Sequence, residues 1–138
     1  MLPLTSTTIL IADDERPVRM LLRVVLEGAG AHVIEADSGT QGCRVMNLEH
    51  SNIDAVVTDL SMPGMDGEGF VREIRERFSH RLPIVVCSAA HRLELQPLVQ
   101  SGLVQGHVAK PFSPGHLVEV VHDAIVACRE GVLLAGAG

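Results

Sequence analysis

The sequence has no tryptophan and no tyrosine, and its 138 residues include only three phenylalanines. Its core must therefore be aliphatic, and a sheet that stacks bases on aromatic side chains, the usual RNA-reading surface, has almost nothing to be built from. Cysteine is also scarce. Cys43, Cys87 and Cys128 are odd in number and show no CxxC spacing, so neither a disulfide framework nor a zinc site is indicated. They read as small apolar residues in a reducing compartment. There is no basic leader followed by an apolar stretch at the N-terminus, and no run near the ~20 apolar residues a membrane span needs. Positive charge is in deficit too: the formal net charge is −6, which gives no support for binding nucleic acid. A cytoplasmic globular domain is the expectation.

The scarcest charged residue is lysine. Of eleven basic residues ten are arginine, and the single lysine stands at 110. A compact ammonium on a flexible stem does a different job from a planar guanidinium, so the exception marks a place to look.

What the chain does have is alternation. Five short apolar runs recur: Thr8–Ala12, His32–Ala36, Ala55–Asp59, Ile84–Ser88 and Gly106–Lys110. Several are nearly continuous β-branched stretches, as strands covered on both faces require. Between them lie segments of helical length. Arg16–Glu27 places Met20, Leu21, Val24 and Val25 at one-face spacing and stops at Gly28; Gly39–Leu48 and Gly67–Phe78 follow. Arg92–Gln100 is interrupted by Pro97, which should start or kink it. The last, Pro114 to about Glu130, opens with proline in its first turn. Met20 and Met46 read as core residues, and Met62 and Met65, just after Asp59, as packing. The pattern predicts an α/β domain with a doubly wound five-stranded parallel sheet and helices on both faces.

In such a sheet all C-terminal strand ends share one edge, where ligands of open α/β folds bind. Asp13 and Asp14 follow the first strand, Asp59 ends the third, Ser88 the fourth and Lys110 the fifth. Three carboxylates on one rim raise one another's pKa unless a cation intervenes. Oxygen-only ligands point to Mg²⁺, with Mn²⁺ as a substitute. A carboxylate flanked by such an ion, an ammonium and a hydroxyl is arranged to receive a phosphoryl group, with Asp59 as nucleophile. The turn "SMPGMDG" after Asp59 leaves room for a donor and for water.

The stretches "ILIADDE", "VVTDLSMPGMDG", "PIVVCSA" and "GHVAKPF", in this order and spacing, resemble the receiver domain of bacterial two-component response regulators. The resemblance covers about Thr8 to Glu130, and it implies strand order 2-1-3-4-5. It also implies a domain at 8–130, an N-terminal extension at 1–7 and a tail or linker at 131–138. It implies Asp59 as phosphoacceptor, Asp14 as direct metal ligand, Asp13 as the acid holding a water of the ion, and the backbone carbonyl of Ser61 as third protein ligand. Lys110 would pair with the phosphoryl group, Lys110–Pro111 would be a cis peptide, and Ser88 would swing to a phosphoryl oxygen as part of a switch. The donor would be a sensor histidine kinase or a histidine phosphotransfer protein. The domain would catalyse its own phosphorylation and slow dephosphorylation without being an enzyme in the ordinary sense. A downstream protein or output domain would read the face formed by the fourth helix, fifth strand and fifth helix, with no role for nucleic acid or membrane. Homodimerisation stays open.

Some positions depart from the family. His107 stands where Tyr or Phe commonly acts as a rotamer switch, so a pH-sensitive switch and a plain edge histidine are both open. Ser61 and Ala90 occupy the positions that tune phosphoryl lifetime. The other histidines (32, 50, 80, 91, 116 and 122) form no i, i+4 pair and read as surface or boundary residues. On the last helix Leu117, Val121, Ala124 and Cys128 form one apolar stripe, and Val118 with Val126 a second. Three other readings compete. A phosphorylation-independent receiver-like interaction module would not need all five site residues. A metal-dependent phosphohydrolase would usually carry an acid where Ser61 stands. A flavodoxin relative would place a flavin phosphate against two aspartates.

Overall fold

The computed structural model of the chain describes residues 2–79, 81–89 and 92–131. Ala90, expected to tune phosphoryl lifetime, lies outside them, as do His80, His91 and the tail beyond Gly131. Strand and helix alternate: β1 (Thr8–Ala12), α1 (Arg16–Gly28), β2 (His32–Ala36), α2 (Gly39–Glu49), β3 (Ala55–Thr58), α3 (Gly67–Glu73), β4 (Ile84–Ser88), α4 (Arg92–Gln100), β5 (Gly106–Ala109) and α5 (Pro114–Arg129). A 3₁₀ turn at His50–Asn52 extends α2, and α3 continues as a π-helical turn, Ile74–Phe78. Pro97 lies inside α4 rather than at its start.

The strands form one parallel sheet in the order β2-β1-β3-β4-β5. Every residue of β3 and β4 is buried, which is why their sequences are apolar throughout instead of alternating. Because strand side chains alternate, the sheet divides the core in two. Ile9, Ile11, Val57 and Val85 face α1 and α5 and meet Leu22, Leu26, Leu117 and Val121. Leu10, Val56, Ile84 and Val86 face α2, α3 and α4 and meet Met46, Phe70, Ile74 and Leu98. Leu4, ahead of β1, is fully buried in the first of these layers, with its N–H donated to the Ala29 carbonyl.

One sequence expectation is overturned. Met20 is 55% exposed, with Leu21 at 49% and Val24 at 67%, so the face chosen for α1 points to solvent. The buried row is Leu22 and Leu26, with Val18 and Val25 partly covered. This helix carries two apolar stripes, and hydropathy alone does not say which one meets the sheet. Met46, by contrast, is fully buried as expected.

At the N-terminal ends of β4 and β5, one cation ties three segments together. Arg75, in the π-helical turn and only 6% exposed, donates to the Leu103 carbonyl from Nε (3.0 Å) and Nη2 (2.8 Å). It also donates to the Ser79 carbonyl (3.1 Å) and to Gln105 Oε1 (2.7 Å). Gln105 in turn accepts from the Ile84 N–H and donates to the Gly102 carbonyl, both at 2.8 Å. Burial pushes the Arg75 guanidinium down to about 10, so it stays charged at neutral pH.

Candidate functional site

Backbone bonds carry the sheet one residue past the ends of β1, β3 and β5. Asp13 N–H donates to the Ala36 carbonyl (3.2 Å), Asp59 N–H to Ala12 (3.0 Å) and Lys110 N–H to Ser88 (3.1 Å). The side chains of Asp13, Asp59 and Lys110 therefore start from fixed positions at the C-terminal rim, although the strands themselves end one residue earlier at Thr58 and Ala109 than the sequence pattern suggests. The turn after Asp59 is equally constrained. A Cβ at Gly67 would lie 1.9 Å from the Asp59 carbonyl oxygen, so glycine alone lets α3 begin directly against this strand end. The Asp66 side chain caps that helix by accepting from the Gly69 N–H at 2.8 Å.

Lys110 Nζ bridges two carboxylates, donating to Asp13 Oδ2 at 2.7 Å and to Asp59 Oδ2 at 2.9 Å. Its side chain is 15% exposed. Burial works against the ammonium, but hydrogen bonds to Asp13 and Asp59, together with their charges, outweigh it and lift the Lys110 pKa above the ordinary lysine value. Asp59, nearly buried, accepts from the Leu60 N–H (2.7 Å) and the Ser61 N–H (3.2 Å) on its other oxygen. Asp13, fully buried, accepts from the Glu15 N–H at 2.9 Å on its own. Asp14 and Glu15 are exposed.

Carboxylate oxygens of Asp13, Asp14, Glu15 and Asp59 all lie within 4.8 Å of one another. Four acids against one bridging ammonium leave excess negative charge on oxygen donors, and no sulfur or imidazole joins them among the described residues. That donor set fits a hard divalent cation of the Mg²⁺ kind. Ser88 closes β4, buried and paired in register with Ala109. Beside it, burial pushes the Cys87 thiol up to about 11, leaving no thiolate to act as a nucleophile. His107 is half-buried on β5, opposite Val86, and the Lys110–Pro111 bond is cis.

The structure thus brings Asp13, Asp14, Asp59, Ser61, Ser88 and Lys110 to one rim. Two residues near it were not singled out from the sequence. Glu15 joins the acid cluster, a role legible as the third acid in the run Asp13–Asp14–Glu15. Arg19 donates from Nη1 to the Asp13 carbonyl at 2.7 Å; nothing local in the sequence announces that contact.

The family model described as the response regulator receiver domain matches residues 9–122. The chemotaxis protein CheY of Pseudomonas aeruginosa is 36% identical over 116 residues, spanning 82% of this chain and 91% of that protein. The transcriptional regulatory protein ResD of Bacillus subtilis is 35% identical over 120 residues, covering 82% of this chain but only 45% of ResD. Among solved structures, a response regulator receiver domain protein from Clostridium thermocellum superposes with a TM-score of 0.81 at 26% identity, covering 93% of this chain and 99% of that one.

Proposed function

The chain belongs to the response regulator receiver domain family, a family of signalling domains, and from that membership we propose that it is a phosphorylation-dependent switch with Asp59 as acceptor. The observation that carries this reading is the Asp59 carboxylate itself. It is held at a strand end by Lys110 and two backbone N–H groups, among acids that suit a dication.

Asp14, Asp59 and the Ser61 carbonyl would hold Mg²⁺, with Asp13 and Glu15 supporting from the same cluster. The ion, when bound, neutralises the phosphoryl oxygens. An Asp59 oxygen attacks phosphorus, the new O–P bond forms as the P–N bond to the donor histidine breaks, and that electron pair leaves on the imidazole. Lys110 exchanges one carboxylate hydrogen bond for a phosphoryl oxygen, and the Ser88 hydroxyl donates to another. Water attacking phosphorus later breaks the Asp59 O–P bond, releasing inorganic phosphate and restoring the carboxylate.

Receiver domains of this type work with histidine kinases and output domains. The exposed strip of Met20, Leu21 and Val24 lies on α1, which starts two residues after Asp14, and supports that face as the docking surface for the phosphoryl donor. The output is assigned to the face of α4, β5 and α5. Among the described residues no helix is long and apolar enough to cross a membrane.

Intact-mass measurement after incubation with a small acyl phosphate and Mg²⁺ tests the reading. One phosphoryl adduct is expected, absent in Asp59→Asn and in the presence of chelator. If neither the acyl phosphate nor a partner kinase leaves an adduct on the wild-type chain, the phosphorylation-independent module replaces this reading.

A further inference from the structure

Asp13 and Asp14 are neighbours held in very different ways. Every polar atom of Asp13 is engaged. Its N–H goes to Ala36, one carboxylate oxygen accepts from Glu15 and the other from Lys110, and its carbonyl accepts from Arg19. The Asp14 side chain has no hydrogen bond among the described residues and is exposed. Its direction is set instead by the backbone. The Asp13 carbonyl and the Asp14 N–H and Cα belong to one planar peptide unit, so whatever fixes that oxygen also fixes where Asp14 leaves the chain.

Arg19 is suited to that task. It reaches back from the second turn of α1 with its side chain only 15% exposed, and its Nε lies 3.3 Å from Glu35 Oε1 on β2. The other Glu35 oxygen accepts from Arg23 Nη1. One guanidinium thus donates to a carboxylate and to a carbonyl at once, a rigid fork that an ammonium does not reproduce. Together with β2, it anchors the loop that carries the acids.

We infer that Arg19, oriented by Glu35, is a positioning residue for the metal-binding acids, acting on Asp14 through the Asp13–Asp14 peptide plane. The inference rests on the reading of Asp14 as a metal ligand. Two accounts of Arg19 give opposite signs. As a mere positive charge near the cluster it opposes a dication, so removing it should tighten Mg²⁺ binding. As a positioning residue it aids binding, so loosening it should weaken Mg²⁺ even where the charge is kept.

The experiment is calorimetric titration of the full chain with Mg²⁺ alone, on wild type, Arg19→Lys, Arg19→Gln and Asp14→Asn. Melting temperatures and metal-free amide exchange are followed for each. Arg19→Lys and Arg19→Gln are expected to weaken Mg²⁺ by about tenfold, as loss of outer-shell partners commonly does. The Glu15 amide, bonded to Asp13 Oδ1, should exchange faster in both, with the sheet amides unchanged. Unchanged affinity in Arg19→Lys, or tighter binding in Arg19→Gln, overturns the inference. Should Arg19→Gln unfold, Arg19→Lys decides alone. If Asp14→Asn binds Mg²⁺ as well as wild type does, the metal-ligand reading fails first and takes this inference with it. If Asp14→Asn loses the ion while both Arg19 variants match wild type, only the role given to Arg19 is wrong.

Discussion

Lys110 and Arg75 do the same geometric job at opposite ends of the sheet, with opposite kinds of partner. Lys110, at the C-terminal rim, bridges two carboxylates, and its pKa is raised. Arg75, at the N-terminal ends of β4 and β5, has only carbonyl and amide oxygens as acceptors among the described residues, and its pKa is lowered. The first arrangement concentrates like charges that one ammonium only partly offsets; the second satisfies buried backbone carbonyls with a single cation whose acceptors among the described residues are all neutral. The acid-rich rim carries electrostatic conflict, while the Arg75 end is saturated with neutral acceptors. The guanidinium suits the second because five donors in a plane serve several carbonyls at once. The ammonium suits the first because it can transfer its hydrogen bonds to a new anion.

Substitution at Arg75 should have the largest effect on stability. Arg75→Met strands the Leu103 and Ser79 carbonyls, and urea unfolding should show a loss of about 3 kcal/mol. A loss under about 1 kcal/mol would mean that water replaces the guanidinium and that the rim is not the brace described.

The alkaline arm of the stability curve comes next. The Lys110 pKa in the folded chain lies above its ordinary value of 10.5, so its contribution is complete below that pH. It is lost as pH rises through the raised value. Unfolding free energy should fall there in wild type and fall less steeply in Lys110→Met; parallel curves would remove Lys110 as the cause.

At the acidic rim the sign reverses. Asp14→Asn relieves repulsion against Asp13 and Asp59 without breaking any hydrogen bond among the described residues. It should raise metal-free stability by about 0.5 kcal/mol. Destabilisation instead would show that Asp14 has a structural partner.

The smallest expected change in stability is at the exposed strip on α1. Met20→Gln should stay within about 0.5 kcal/mol of wild type. Phosphoryl transfer from a protein donor should slow while transfer from a small acyl phosphate does not; equal slowing with both donors would place Met20 in the chemistry, not in docking.

The difference between the two rims also explains what could be read in advance. The acids and the lysine were legible because each directly follows an apolar run, and a parallel sheet sends all such ends to one edge. Helix placement followed from the same alternation, whereas the order of the strands came from the resemblance to the receiver domain. The Arg75 clamp was not legible. Its backbone acceptors lie up to 28 residues away, and a carbonyl looks the same under every side chain. Arg19 was missed for the same reason, since it holds the carbonyl of Asp13 instead of the carboxylate that drew attention. The buried face of α1 failed differently: Met20, Leu21 and Val24 are as apolar as Leu22 and Leu26, and only the docking of the helix against β1 and β2 decides between them.

The Lys110 bridge has one further consequence. Zinc fingers and many small metal-binding domains depend on their ion to hold the fold together. Here the fold supplies its own resident counter-ion, tethered to β5 and impossible to dialyse away. Metal scarcity should therefore silence the acidic cluster without dismantling it, and renewed supply should restore it at the speed of ion binding, with no refolding in between.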